Sequence, residues 1–385
     1  MNEIAPRQAF GEELLDIGRS NSKIVVISCD LSGATKTKAF GKEFPDRFFE
    51  LGIAEQNGVS VSAGLSMEGF RPFISSFGSF ISRRAYDQIM ISGAYSSAKI
   101  VIVGTHAGLA IGKDGGTQMG IADINVMKGI PGLEIFQPAD AKETKQIVHY
   151  LAKSDNLAYL RLSRKPQPLV TPASYKFRYN NSVTLVEGDD LAIFATGDSV
   201  FQSVESAKVL SSEGINVAVI NVSTLKPIDK KTIINYAKKT KGIVSVEDAS
   251  VIGGLGSSIC DVVGLAPPLK KLHDKFGIRN GHITTLHPWL AYQNLLDGPS
   301  QSWGYPGSLY GHYSVGRAAT ASLILKPTTA ISAANKIFPG IIDKMKCHSY
   351  RVPTPVVGAA DITFHIEKEC TKEGLLEFIR DNPSV

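Results

Sequence analysis

No stretch of the 385-residue sequence gathers five or six charges of one sign, and 41 lysines and arginines against 36 aspartates and glutamates leave a net charge of only +5. A basic arm for nucleic acid is thereby excluded, and small anionic substrates suit the balance better than a polymer. The four cysteines, Cys29, Cys260, Cys347 and Cys370, are scattered, with no Cys-x-x-Cys pair. That excludes zinc-ligand spacing and points to reduced thiols in a cytosol. No run approaches the ~18 apolar residues of a membrane span, and Met1-Asn2-Glu3-Ile4 lacks the charged start and apolar stretch of a signal peptide. A cytoplasmic location is the expectation. Internal repeats and low-complexity tracts are absent as well.

What remains is a chain with 43% hydrophobic and 20% charged residues, enough to bury two or three cores of ordinary domain size. Between Arg7 and Arg164, short β-rich runs alternate with helical periods: 23–28, 99–104 and 158–162. Continuous apolar strands separated by helices indicate a parallel sheet covered on both faces, hence an α/β fold. Pro166 to Tyr179 reads as a linker crossing the surface. A second α/β unit follows, with strands at 191–195, 215–220 and 241–246. Near Gly264 the composition shifts toward Pro, Gly, Tyr and Trp, and a third, α+β region begins, with a strand at 360–366 and a last helix near 372–380.

Three segments carry chemistry. Phe49-Glu50-Leu51-Gly52-Ile53-Ala54-Glu55-Gln56-Asn57 sets a carboxylate beside a Gly turn among apolar neighbours; Ser76-Phe77-Gly78-Ser79-Phe80 spaces two aromatic rings for one face; and Thr105-His106-Ala107-Gly108 follows a buried strand. Each has a plainer reading. A Glu that opens a helix is ordinarily satisfied by backbone amides, Phe pairs at helical spacing are ordinarily core, and a strand-end His is ordinarily satisfied within the fold. Their order, together with Arg83-Arg84-Ala85-Tyr86-Asp87-Gln88, resembles the pyrimidine-binding half of a transketolase, a thiamine diphosphate enzyme. The resemblance runs from residue 1 to about 263. It implies a pyrimidine-binding domain over 1–168 and a transketolase C-terminal-like α/β domain over 180–263.

The resemblance also implies roles. Glu55 would activate the cofactor by bonding its pyrimidine ring nitrogen, and Phe77 and Phe80 would hold that ring. His106 would contact substrate, Asp30 would face cofactor and sugar, and Asp114 would bond sugar hydroxyls. Arg164 would clamp the substrate phosphate through its planar fork of donors, with Arg161 evenly balanced between function and structure. Gln118 stands where many transketolases carry a histidine, and a glutamine can donate to substrate but cannot shuttle a proton near neutral pH. No Gly-Asp-Gly motif with a downstream Asn is present. In this family that motif holds the metal on the cofactor diphosphate, so thiamine diphosphate with Mg2+ implies a separate diphosphate-binding subunit. The expectation is a split transketolase, a hetero-oligomer with two copies of each subunit.

Residues 265–385 resemble part of the catalytic domain of a glyceraldehyde-3-phosphate dehydrogenase, through Leu265-Ala266-Pro267, His273-Asp274-Lys275-Phe276-Gly277-Ile278, Ile283-Thr284-Thr285-Leu286-His287, Pro327-Thr328-Thr329 and Tyr350-Arg351-Val352-Pro353. His287 matches that family's base, while Thr328, Thr329 and Arg351 match phosphate contacts. Cys260 falls where the nucleophile should lie, yet its surroundings continue the transketolase pattern, and a buried helix residue is expected there. No GxGxxG nucleotide turn precedes the region. Dehydrogenase activity is therefore not expected, and a vestigial site, a gene fusion or an assembly error in the source sequence would each account for the tail.

The function implied is transfer of a two-carbon ketol unit between sugar phosphates. Two alternatives stay open: another split thiamine enzyme, such as a deoxyxylulose-phosphate synthase or a two-oxoacid dehydrogenase subunit, and a chimeric non-catalytic protein whose tail binds a partner.

Overall fold

A computed structural model describes residues 3–263, 266–288, 300–301, 309–310, 324–326, 339–352 and 359–381. These fall into two compact units, 1–262 and 263–385. In the first unit the chain runs α1 (Pro6–Ser20), β1 (Ile24–Ser28), α2 (Lys38–Glu43), β2 (Phe48–Glu50), α3 (Glu55–Met67), β3 (Arg71–Phe77), α4 (Gly78–Arg84), α5 (Tyr86–Gln88), β4 (Val101–Thr105), α6 (Asp123–Lys128), β5 (Glu134–Phe136), α7 (Ala141–Lys153) and β6 (Ala158–Arg161). It continues through β7 (Val183–Val186), β8 (Leu191–Ala195), α8 (Ser199–Ser212), β9 (Val217–Asn221), β10 (Thr224–Lys226), α9 (Lys230–Lys239), β11 (Gly242–Val246) and α10 (Leu255–Val263).

The first sheet has the order β10-β5-β6-β4-β3-β1-β2. Its six strands from the first half are parallel, and β10 joins antiparallel to β5. A strand that follows the second sheet's β9 in the chain thus finishes the first sheet, which ties the two halves of the unit together. The apolar runs read from sequence are strands because helices cover both faces. Phe10, Leu14 and Ile17 of α1 and Ile147, Val148 and Leu151 of α7 share one core with Ile24, Phe73, Val101 and Leu160. Each such side chain contributes about 1.5–3 kcal/mol on leaving water. Asp140 caps α7 through the Glu143 amide.

The linker departs from expectation. Rather than crossing the surface freely, it is pinned: Gln167 pairs with Ile4, and Asp140 accepts from the amides of Val170 and Thr171. Gln167, Thr171 and Tyr175 are buried, because these partners satisfy polar groups that would otherwise need water.

The second sheet has the order β11-β8-β9-β7, parallel except for β7. In the second unit, strand Ile278–Pro288 lies between a parallel neighbour, Met345–Val352, and an antiparallel one, Ala359–Ile366. Helix Ala266–Phe276 supplies Leu269, Leu272 and Phe276 to a core with Ile278, Ile283, Ile341 and Met345, and helix Lys372–Asp381 packs Leu375 and Phe378 against it.

Candidate active site

In the first sheet β1 leads to β2 on one side and the chain then returns to β3 on the other. The carboxyl ends of β1 and β3 therefore form a switch point, where open parallel sheets meet their ligands. Glu55, Ser76, Phe77 and His106 gather at this edge. Glu55 is the first residue of α3 and only 2% exposed. Helix α3 lies close to the sheet because Gly58 has no side chain; a Cβ there would stand 2.7 Å from Ile74 Cδ1. The plainer reading of Glu55 fails on its partners, which are side chains rather than backbone amides. Ser76 Oγ donates to Oε1 at 2.9 Å, and Arg84 Nη1 donates to Oε1 at 3.2 Å and Oε2 at 3.1 Å.

Phe77 ends β3 and Phe80 sits in α4. Their rings stack with centroids 5.4 Å apart, and Arg84 lies 4.2 Å over Phe80. The imidazole of His106 packs on the other ring, with its centroid 4.0 Å from that of Phe77. His106 has a left-handed φ of 55° just past β4. Arg7 Nη1 stands 3.2 Å from His106 Nε2, and Thr105 Oγ1 stands 3.0 Å from Nδ1. A guanidinium only donates, so Nε2 accepts and the ring proton sits on Nδ1. That proton goes to Thr105 Oγ1, which in turn donates to the Ser76 carbonyl at 3.3 Å. Burial, then Arg7, Arg164 and Lys36, hold the imidazole down to about 3. His106 is therefore neutral at physiological pH.

The same three cations make an electropositive corner. Arg164 pairs with Asp114 at 3.1 Å and also donates to the Ile111 carbonyl. Nε of Arg7 is buried with no partner, a donor awaiting an acceptor. Other expected residues stand apart. Asp30 is exposed, with its amide on Glu50 at 2.6 Å, and Gln118 takes a hydrogen bond from the adjacent Thr117. Among the described residues no hydrogen bond or ion pair joins either side chain to Glu55 or His106. Arg161 resolves toward structure: it is buried, bonded to Asp123 at 2.9 Å and to the carbonyls of Gly120 and Asp248 at 2.8 Å each.

Sequence reasoning missed Arg7, Ser76, Lys36 and Arg84 as site residues. Arg84 lies inside a quoted motif and Ser76 opens another, so position alone could have raised them. Arg7 lies 99 residues from His106, and nothing local marks it.

At Cys260 expectation and structure part. It lies in α10, as expected, but is exposed rather than buried. The helix buries Leu255, Ser258, Ile259 and Val262, a one-sided stripe at helical spacing that turns position 260 outward. His287 and Arg351 are register partners on adjacent parallel strands. Thr328 and Thr329 lie outside the described residues.

Family profiles account for the whole arrangement. That described as transketolase, pyrimidine binding domain, matches residues 2–168, and that described as transketolase, C-terminal domain, matches 181–276. The chain belongs to the transketolase family. A third profile, glyceraldehyde 3-phosphate dehydrogenase, C-terminal domain, matches 259–385. The last two matches overlap over 259–276, where Cys260 lies, so this cysteine answers to both patterns. A Methanocaldococcus jannaschii protein provisionally named a transketolase C-terminal section is 37% identical over 302 residues, 76% of this chain and 93% of the relative. The 6-deoxy-6-sulfo-D-fructose transketolase subunit SqwH of Clostridium sp. is 34% identical over 70% of this chain and 85% of its own. A solved structure described as a split gene transketolase, inactive beta4 tetramer, superposes with a TM-score of 0.63 at 40% identity, covering 68% of this chain and 86% of that one.

Membership of the transketolase family implies thiamine diphosphate dependence. The residues at the switch point fit such a group, since a buried carboxylate stands beside a stacked aromatic pair. Among the described residues no cluster of three or more His, Cys, Asp or Glu is placed to hold a metal ion, and no helix is long and apolar enough to cross a membrane.

Proposed function

We propose that this transketolase-family chain is the pyrimidine-binding subunit of a split enzyme that moves a two-carbon ketol unit between sugar phosphates, and that a second, diphosphate-binding subunit brings Mg2+. Two copies of each subunit, in the cytoplasm, make up the assembly. The observation that carries this reading is Glu55, a carboxylate buried at a sheet switch point beside the Phe77–Phe80 pair. When bound, thiamine diphosphate supplies the electron sink for cleaving a carbon–carbon bond next to a ketone.

The chain's own residues do the rest. Ser76 and Arg84 hold the Glu55 carboxylate at a set position, where it would meet the pyrimidine ring nitrogen of a bound cofactor. Phe77 and Phe80 offer apolar surface to a flat heterocycle and exclude water from the carboxylate. Neutral His106, its proton committed to Thr105, presents Nε2 to a sugar hydroxyl once Arg7 turns to the substrate. Arg7, Lys36 and Arg164 attract the phosphate, and Asp114, now held on Arg164, is released to bond sugar hydroxyls. Family resemblance alone gives Asp30 a place facing cofactor and sugar, and makes Gln118 a donor to a substrate oxygen.

Co-expression with a subunit carrying the missing Gly-Asp-Gly motif, followed by a ketol-transfer assay, tests the proposal. Activity should require both chains, and Glu55→Gln should lower turnover by at least about 100-fold, the scale of a lost acid–base group. Turnover by this chain alone, or full activity in Glu55→Gln, would sink it.

A further inference from the structure

The second sheet has its own switch point, and it is lined by groups that ketol transfer does not use. From β8 the chain passes through α8 to β9 on one side, and later returns to β11 on the other. The carboxyl ends of β8 and β11 thus bracket a crevice of the kind that receives ligands in open parallel sheets. A cavity of about 430 Å³ lies there, and its lining comes from three directions. Asp198, Ser199 and Gln202 follow β8; Val246, Glu247 and Asp248 follow β11. Leu109 and Ala110 belong to the loop that starts at His106, and Lys165 and Gln167 follow β6.

Three carboxylates face this cavity against one lysine, and two of the three are spent. Glu247 caps α10, taking the amides of Leu255 and Gly256 at 2.7 and 2.9 Å. Asp248 accepts the Leu109 amide at 2.9 Å, and Gly108 beside it, at φ +84°, leaves room that any Cβ would take from the Asp248 carboxylate. Asp198 is different. It is 9% exposed, and neither of its oxygens has a hydrogen-bond partner. It opens α8 without capping it. An orphaned buried carboxylate is costly, and native structures keep one where a ligand completes it. Burial pushes the Asp198 carboxyl up to about 6, with the Asp248 charge reinforcing and the Arg161 and Lys165 charges only partly opposing; Ser163 Oγ falls short of hydrogen-bond geometry.

We propose that this crevice is a second ligand site, which takes the ammonium group of a small organic amine on Asp198 and acts through Leu109 and Ala110 on the loop that carries His106. A cation suits the excess of acid, and the apolar wall of Leu109, Ala110 and Val246 suits a short methylene chain. The Leu109–Asp248 bond is the link: an occupant that touches both residues shifts a loop whose first member is three residues from Leu109. Binding here stands independently of the ketol-transfer reading, because it is measured directly rather than through turnover.

The test is calorimetric titration of the full-length chain with 1,4-diaminobutane and with the neutral isostere 1,4-butanediol. The diamine should bind saturably at one site per chain, at least tenfold more tightly than the diol. Asp198→Asn should weaken it at least tenfold, and amide exchange at 107–110 should slow in the complex. Gln202→Trp, placed on an exposed part of the lining, should block binding by filling the mouth, and it decides the matter if Asp198→Asn does not fold. Absence of saturable heat, equal affinity for the diol, or undiminished binding in a folded variant overturns the proposal.

Discussion

Arg84 ties Glu55 to the aromatic pair: one guanidinium bonds both carboxylate oxygens, at 3.1 and 3.2 Å, while lying 4.2 Å above the ring of Phe80. The carboxylate is 2% exposed and the arginine 46%, so the pair is buried on one side only. Its worth lies between that of a surface pair and that of a fully desolvated one. Arg84→Met should cost about 1–3 kcal/mol in urea unfolding, because it strands a buried charge. In the Glu55→Gln background the same change should cost less than about 1 kcal/mol. Equal losses in both backgrounds would show that Arg84 contributes packing on Phe80 and not charge.

The readable and unreadable parts of this site divide by distance along the chain. Glu55, Phe77, Phe80 and His106 stand in local patterns, each within a few residues of a strand's carboxyl end. Arg7 and Lys36 act only because α1, with the segment after β1 packed on it, brings both cations toward His106 at the end of β4. Strands divide in a similar way. The runs that became β1, β4, β6, β8, β9 and β11 are nearly continuous apolar stretches and were legible, although β11, at the edge of its sheet, is only half-buried. Strand β3 was not, since Arg71, Pro72, Ser75 and Ser76 interrupt the pattern although all seven of its residues are buried. Arg71 is tolerated there because Leu151 and Asn156 offer carbonyls at 2.9 and 3.0 Å, a compensation no window of sequence contains. Strands β2, β5 and β10, three residues each, are too short to show a period. Cys260 was misread because the helical stripe of α10 admits two phases, and tertiary packing chose the one that leaves the thiol outside.

His106 makes a pH prediction. Its folded value is depressed from the ordinary 6.5 to about 3, chiefly by burial, so the neutral ring is favoured in the fold. Stability from this source is present above 6.5 and is lost as pH falls from there toward 3. The ring resonances of His106 should stay flat between about pH 8 and 5, where a free imidazole titrates. The stability gap between the wild-type chain and His106→Gln should narrow through the same acid window. A His106 midpoint near 6.5 in the NMR titration would contradict both the burial and the cation corner.

Arg161 and Asp123 form an ion pair with no solvent contact to speak of, 2.9 Å apart, with Tyr159 donating to the same Asp123 oxygen at 2.7 Å. Removing one partner leaves the other charged and dry. Arg161→Met should therefore cost about 3–5 kcal/mol in chemical denaturation. The paired change Arg161→Met with Asp123→Leu should recover much of that loss, as apolar replacements of buried pairs do. A loss under 1 kcal/mol in the single variant would mean that the pair is open to water.

Thiol reactivity separates the two cysteines of the first unit. Cys29 is buried, and its thiol is pushed up to about 12 by burial first and the Glu55 carboxylate next, so it offers almost no thiolate near neutral pH. Cys260 is exposed on the outer face of α10, six residues into the helix and past the amides that would activate a nucleophile at its start. It should react with an aromatic disulfide reagent in the native protein at the rate of an ordinary surface thiol, while Cys29 reacts only on unfolding. Mass mapping of the modified peptides against time reads the order. Rapid native labelling of Cys29 would place it outside the core, and a Cys260 rate far above that of a free thiol would reopen the nucleophile role that its position in the helix argues against.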